Sequence, residues 1–178
     1  MHFPAHTTAA APESARRGLH AIEKHFGYVP DAAARMATSP QLLEGFQRLD
    51  ALFGSTSLPP LARETVIMTV AVRNGCHVCV ALHARRLHAL GADADLVDAL
   101  RAGTPIHDPH LAAVRAFALA VIAHSGDVPA DDRDAFEAAG WDARVALEVV
   151  LGIATYTLST FANRLTGATV DPELAARA

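Results

Sequence analysis

The segment NGCHVCVALHARRL, residues 74–87, carries both cysteines of the chain, Cys76 and Cys79, and a histidine, His83, four residues after the second. Two thiols at this spacing can cycle between dithiol and disulfide, bind a soft metal, or pack as small apolar groups. If Cys76 opens a helix, Cys79 at i+3 and His83 at i+7 share one face. The free N–H groups and dipole at that end stabilise thiolate and lower the cysteine pKa. Thiols one turn apart also close a disulfide with little backbone movement.

A carboxylate can join them. Glu64 heads a run, Thr65 to Val72, in which nothing is charged. If two helices fold back about Asn74-Gly75, Glu64 and His83 lie at heights differing by about one helical turn, at roughly 1.5 Å per residue. A Glu–His–thiol chain supplies a base for the cysteine proton and an acid for a leaving group. The same four side chains, Cys76, Cys79, His83 and Glu64, could be read as a zinc site. Structural zinc sites prefer more thiolates and a second knuckle, so no metal and no cofactor is expected.

Glu64, eleven intervening residues, Cys76-x-x-Cys79, three more and His83 reproduce the E-x11-C-x-x-C-x-x-x-H pattern. This resembles the alkylhydroperoxidase D family, within the wider carboxymuconolactone decarboxylase-like superfamily. The approach FGYVPDAAARMATSPQLLEGFQRL before LPPLARETVIMTVAVRNGC resembles peroxidase-related members, and the likeness covers about residues 20–165. The resemblance implies an all-α fold and a thiol peroxidase or disulfide reductase acting on organic hydroperoxides. It implies that Cys79 attacks the peroxide, that Cys76 resolves, and that Glu64 and His83 relay protons. It also implies an external dithiol reductant, a lipoyl protein or thioredoxin-like partner, and a homo-oligomer, trimer or hexamer. Helix-end electrostatics alone favour Cys76 as the more acidic thiol, against the family assignment. His77, directly after the first cysteine, departs from relatives whose extra histidine precedes the second; it either tunes Cys76 or faces solvent.

The elements that must hold these groups read as consecutive helices. They are expected over 13–26, 30–37, 40–53, about 60–73, 76–90, 93–102, 108–124, 131–139 and 142–165. Ser39-Pro40 and Asp108-Pro109 supply N-caps, and Gly27, Asn74-Gly75 and Gly91 supply stops. LARETVIMTVAVRNG and LAAVRAFALAVIAHSG share a faint likeness, as chance similarity of Ala-rich amphipathic helices also produces. No stretch combines period-two alternation with hairpin turns, so the expected class is all-α. The CxxC then opens a core helix of one compact domain, 1–178, with its core at about 20–165 and loose ends at 1–12 and 166–178.

The composition agrees: 178 residues, 51% apolar, 6% aromatic. A net charge of −4 gives no field for nucleic acid or anionic membranes. The segment 145–161 contains Glu148 and four Ser/Thr residues, so a core or subunit-interface helix is expected rather than a membrane span. The N-terminus lacks a basic and an apolar region, and two cysteines without an export signal fit a reducing, cytoplasmic setting.

Other candidates read as structural. His107 and His110 flank an Asp108 N-cap, and Asp131, Asp132 and Asp134 sit at a helix start. His20, His25, His88 and His124 lie on helix faces, and Tyr28 and Trp141 are packing anchors. Asn163 resembles a position near the end of the last core helix in relatives; it either approaches a neighbouring subunit's site or, in the preferred reading, caps the helix C-terminus. Two rival functions remain: a carboxymuconolactone decarboxylase-like enzyme without thiol chemistry, and a non-enzymatic redox-sensing module.

Overall fold

Residues 64–71 are buried without a break, and the helix that contains them is the axis of the molecule. The computed structural model describes residues 1–175. These form α1 Glu13–Phe26, α2 Asp31–Met36, α3 Pro40–Gly54, α4 Pro60–Arg73 and α5 His77–Ala89. There follow α6 Ala94–Ala102, α7 Pro109–Ala123, α8 Ala130–Ala138, α9 Ala143–Thr166 and α10 Pro172–Ala175. No strand occurs among the described residues, in agreement with the all-α expectation. Helix α4 packs against α5, α6, α7 and α9.

Local chemistry sets the boundaries. Ser39 Oγ accepts from the Leu42 N–H at 3.4 Å to open α3. Asp108 Oδ1 accepts from the N–H groups of His110 and Leu111 to open α7, and Asp142 does the same for Val145 in α9. Helix α4 affords complete burial because its hydroxyls turn inward on their own backbone: Thr65 donates to Leu61 O and Thr69 to Thr65 O.

The 24-residue α9 crosses the back of α3 and α4. It comes close because residue 152 is glycine: a Cβ there would stand 2.6 Å from the Phe53 ring and 3.0 Å from Val66. Length and a mean hydropathy of 1.6 would let α9 span a membrane. Its buried Val149, Gly152 and Tyr156 instead face the protein core, and Glu148 accepts from Ser57.

The chain ends differ from the loose tails expected. Ala11 is buried beside Ala15 and Leu19, and the His6 N–H donates to Ala34 O. Beyond α9, the Asp171 carboxylate accepts from the Asp31 N–H at 2.9 Å, and the Asp31 carboxylate accepts from Thr169. Leu174 is buried, and Arg85 donates to Glu173 O. Both tails are tied to α2 by pairings that span 28 or more residues, which no local pattern reveals. Residues 176–178, the rest of the expected loose tail, lie outside the described residues.

Candidate active site

Cys76 is itself the N-cap of α5. Its backbone is extended (φ −90°, ψ 94°), and its Sγ accepts from the Cys79 N–H at 3.4 Å. The turn before it requires Gly75, at φ +63°. Helix α9 grips this turn at three points. Asn74 Nδ2 donates to Thr160 Oγ1 at 2.9 Å, and the Arg164 guanidinium donates to Asn74 O. Asn163 Nδ2 reaches the sulfurs themselves, 3.3 Å from Cys79 Sγ and 3.7 Å from Cys76 Sγ.

The two sulfurs lie 2.8 Å apart, both free thiols and both buried. Their acidities separate. The Cys76 thiol is lowered to about 6, chiefly because its thiolate accepts from the Cys79 thiol; its own burial works against this, and the Cys79 N–H and Asn163 add to the lowering. Cys79 is pushed up by that same bond, by burial and by the negative charge beside it. The pair therefore holds one shared proton near neutral pH, as closely coupled groups do.

Glu64 and His83 meet as their spacing predicted. Both are buried, and His83 Nδ1 lies 2.6 Å from Glu64 Oε2. Glu64 Oε1 faces the Arg86 guanidinium at 3.7 Å, so both carboxylate oxygens have partners. The Tyr156 ring meets the His83 ring edge-on, centroids 5.2 Å apart, and its hydroxyl donates to Asp50 at 2.7 Å. No hydrogen bond joins His83 to either sulfur among the described residues. No three His, Cys, Asp or Glu side chains there converge on a common point, so the four-ligand zinc arrangement does not form.

A cavity of about 440 Å³ joins the two pairs. Cys79, His83, Tyr156 and Asn163 line its inner end, while Cys76 does not reach it. Its walls are largely apolar, with Ile22, Met36, Leu43, Phe46 and Leu82 among them, and Tyr28 and Asp171 add polar groups. The floor comes from α5 and α9 and the walls from α1, α2, α3 and α10, so a site that reads as fourteen residues of sequence draws on six helices. An apolar molecule entering this space meets Cys79 before Cys76.

Residues 40–121 match the family model named carboxymuconolactone decarboxylase family. That stretch, a little under half of the chain, is what is similar to the family. It runs from α3 to the end of α7, so it holds Glu64, Cys76, Cys79 and His83 and omits all of α9. The fold is shared more widely than the match. It is similar to the alkylhydroperoxidase AhpD core of an uncharacterized peroxidase-related protein from Ralstonia eutropha JMP134, with TM-score 0.85 and 24% identity over 97% of this chain and 93% of that one. A peroxidase-related protein from Silicibacter sp. TM1040 gives TM-score 0.80 and 18% identity over 98% and 92%. A variant of the debrominase Bmp8 in complex with 2,3,4-tribromopyrrole gives 0.71 and 16% over 92% and 89%. Because this fold also serves a debrominase, it does not by itself name the reaction of a chain that adopts it. A search of curated proteins returns no match.

The sequence-derived residues fall in two groups. Cys76 with Cys79 and Glu64 with His83 come together as two pairs, of which Cys79 and His83 line the cavity, whereas His77 is exposed. Histidines 20, 25, 88 and 124 are also exposed, and Trp141 is buried with its Nε1 donating to His110 O. Asn163 corrects the helix-cap reading. Gly167, at φ +68°, ends α9, with its N–H on Arg164 O and the Ala168 N–H on Asn163 O, while the Asn163 side chain turns to the thiols. Tyr156, Ser159 and Thr160 gave no sequence signal. Their one common feature is a polar stripe at i, i+3, i+4 and i+7 on an otherwise apolar helix, Tyr156-Ser159-Thr160-Asn163.

Proposed function

We propose that this protein is a thiol-dependent oxidoreductase that reduces organic hydroperoxides through a Cys76–Cys79 dithiol/disulfide cycle. The observation that carries this reading is a buried thiol pair of split acidity, reached at Cys79 by an apolar cavity whose inner wall also holds a Glu64-bound histidine. The Cys79 thiolate attacks the terminal oxygen of the hydroperoxide. An S–O bond forms, the O–O bond breaks, and the leaving alkoxide takes a proton from His83, which Glu64 holds in place. Cys76 then attacks the Cys79 sulfenic acid, closing the disulfide and releasing water. The peroxide gains two electrons, the dithiol loses two, and the products are an alcohol and one water. An external dithiol returns the two electrons, and the setting is one that keeps cysteines reduced.

Apolar walls favour alkyl or aryl hydroperoxides over hydrogen peroxide, because burying the organic group supplies binding free energy that a bare peroxide lacks. The test is a thiol count with intact mass before and after one equivalent of cumene hydroperoxide, followed by dihydrolipoamide. The expected result is loss of two thiols and two protons from the wild type, a sulfenic acid trapped on Cys79 in Cys76→Ser, and recovery with the dithiol. Thiols that ignore the hydroperoxide overturn the reading.

A further inference from the structure

We infer that Asn163 is a positioning residue that lets one negative charge pass between the two sulfurs, its Nδ2 serving as donor to whichever of Cys76 and Cys79 is ionised. The observation begins with a mismatch. The more acidic thiol, Cys76, is closed off from the cavity, while Cys79, which lines it, sits beside a charge that keeps it protonated. For Cys79 to react, the proton it carries must cross the 2.8 Å to Cys76. No bond to carbon forms or breaks in that step; one S–H is exchanged for another, and the charge moves the opposite way.

Such a shift is cheap only if the solvation of the charge moves with it, because a buried thiolate without a donor is strongly disfavoured. Cys76 keeps the Cys79 N–H as a helix-end donor, which Cys79 itself lacks. Asn163 is the side chain that hydrogen-bonds both sulfurs, and it stands nearer to Cys79. Ser159 adds a donor on the Cys79 side alone. The ionisable neighbours do not substitute for it. Glu64 and His83 are bound to each other, Tyr156 to Asp50, Arg164 to Asn74 O and Asp171 to the Asp31 N–H, and His77 faces solvent.

A second observation points the same way. Asn163 is 4% exposed, and its amide is turned so that Nδ2 faces the sulfurs while Oδ1 has no protein partner among the described residues. The orientation is the one that serves a negative charge on sulfur. Asn163 also lies outside the family-matched stretch, so this chain brings the donor in from α9.

The claim about the peroxide step rests on the proposed hydroperoxide chemistry; the claim about the thiols does not, and the experiment separates them. Reduced full-length wild type, Asn163→Leu, Asn163→Ser and Asn163→Gln are titrated from pH 4.5 to 10, thiolate being followed by its ultraviolet absorbance. Single-turnover oxidation by cumene hydroperoxide and thermal midpoints are measured alongside. Asn163→Leu, nearly the same size, is expected to move the first thiolate midpoint up by about one pH unit and slow peroxide oxidation about tenfold or more. Asn163→Ser serves the same purpose if Asn163→Leu folds poorly, and Asn163→Gln restores part of both values. Unchanged thiolate titrations with only a lower thermal midpoint overturn the proposal. A shifted profile in a protein whose wild type ignores peroxide overturns the hydroperoxide reading and leaves the role of Asn163 standing.

Discussion

Helices α4 and α7 pack side by side and carry the two stretches of sequence that look alike, yet only one of them serves the site. Counted from Leu61 and Leu111, Glu64 on α4 corresponds to Val114 on α7. Both positions are buried, at 6% and 0% exposure, so depth does not distinguish them. Their company does. Val114 sits in the apolar cluster with Phe117 and Phe136, whose rings stack 4.1 Å apart. Glu64 finds His83 and Arg86. The helix ends diverge in the same manner: Asn74-Gly75 feeds into the cysteine cap of α5, whereas Ser125 and Gly126, both at positive φ, lead to a plain helix, α8. One helical frame thus carries chemistry where its neighbours supply polar partners, and stability where they do not.

The comparison breaks first at the thiols. Cys79→Ser should lower hydroperoxide turnover by roughly a thousandfold or more while leaving the thermal midpoint close to wild type, read by a coupled dihydrolipoamide assay. At the paired positions the effects should be opposite in kind. Glu64→Gln should cost about 10²–10⁴ in turnover with the fold retained. Val114→Ala should destabilise by about 2 kcal/mol in urea unfolding, with turnover per folded molecule unchanged. Loss of turnover in the valine variant, or none in the glutamine variant, would erase the distinction drawn between the helices.

A pH profile sharpens it. Cys76 is held below the usual thiol range, so the ultraviolet absorbance of thiolate should rise through a midpoint near 6 and level off above it. Acidification below that point protonates the pair and slows the peroxide step. Cys79 is pushed the other way, so a second thiolate should not appear until well into the alkaline range. Cys79→Ser removes the thiol that lowers Cys76 most, and its midpoint should move up. The smallest stability effect is expected on the outer flank of α9, where Leu147, Phe161 and Leu165 are exposed at 73%, 59% and 71%. We expect this flank to join copies of the chain. Leu147→Glu with Phe161→Glu should disperse such an assembly in light scattering at a cost within about 1 kcal/mol to the protomer.

Much of this architecture was legible because helix ends are written locally. Ser39, Asp108 and Asp142 each cap through their own side chains, and Gly27 and Gly91 each follow a helix end at positive φ, all within a few residues of sequence. The meeting of Glu64 with His83 was legible too, since a short hinge and a fixed rise per residue set their heights. Asn163 was not. Its position opposite the sulfurs depends on how far along and around α9 lies against α4, and that is decided by contacts such as Gly152 on Phe53, remote in sequence. Asp171 on Asp31 escaped notice for the same reason, being 140 residues apart.

The bare backbone at Gly152 has a reach beyond its own neighbourhood. It sets the depth at which a stiff rod rests on the protein, and eleven residues along that rod, about 16 Å away, stands the amide that touches both sulfurs. A single methyl added there must displace Phe53 or lift the helix by tenths of an ångström. The distance between amide and thiolate would change without any substitution at the site. Reactivity in this fold can therefore be retuned from the far side of the core, at a position that touches neither thiol nor substrate.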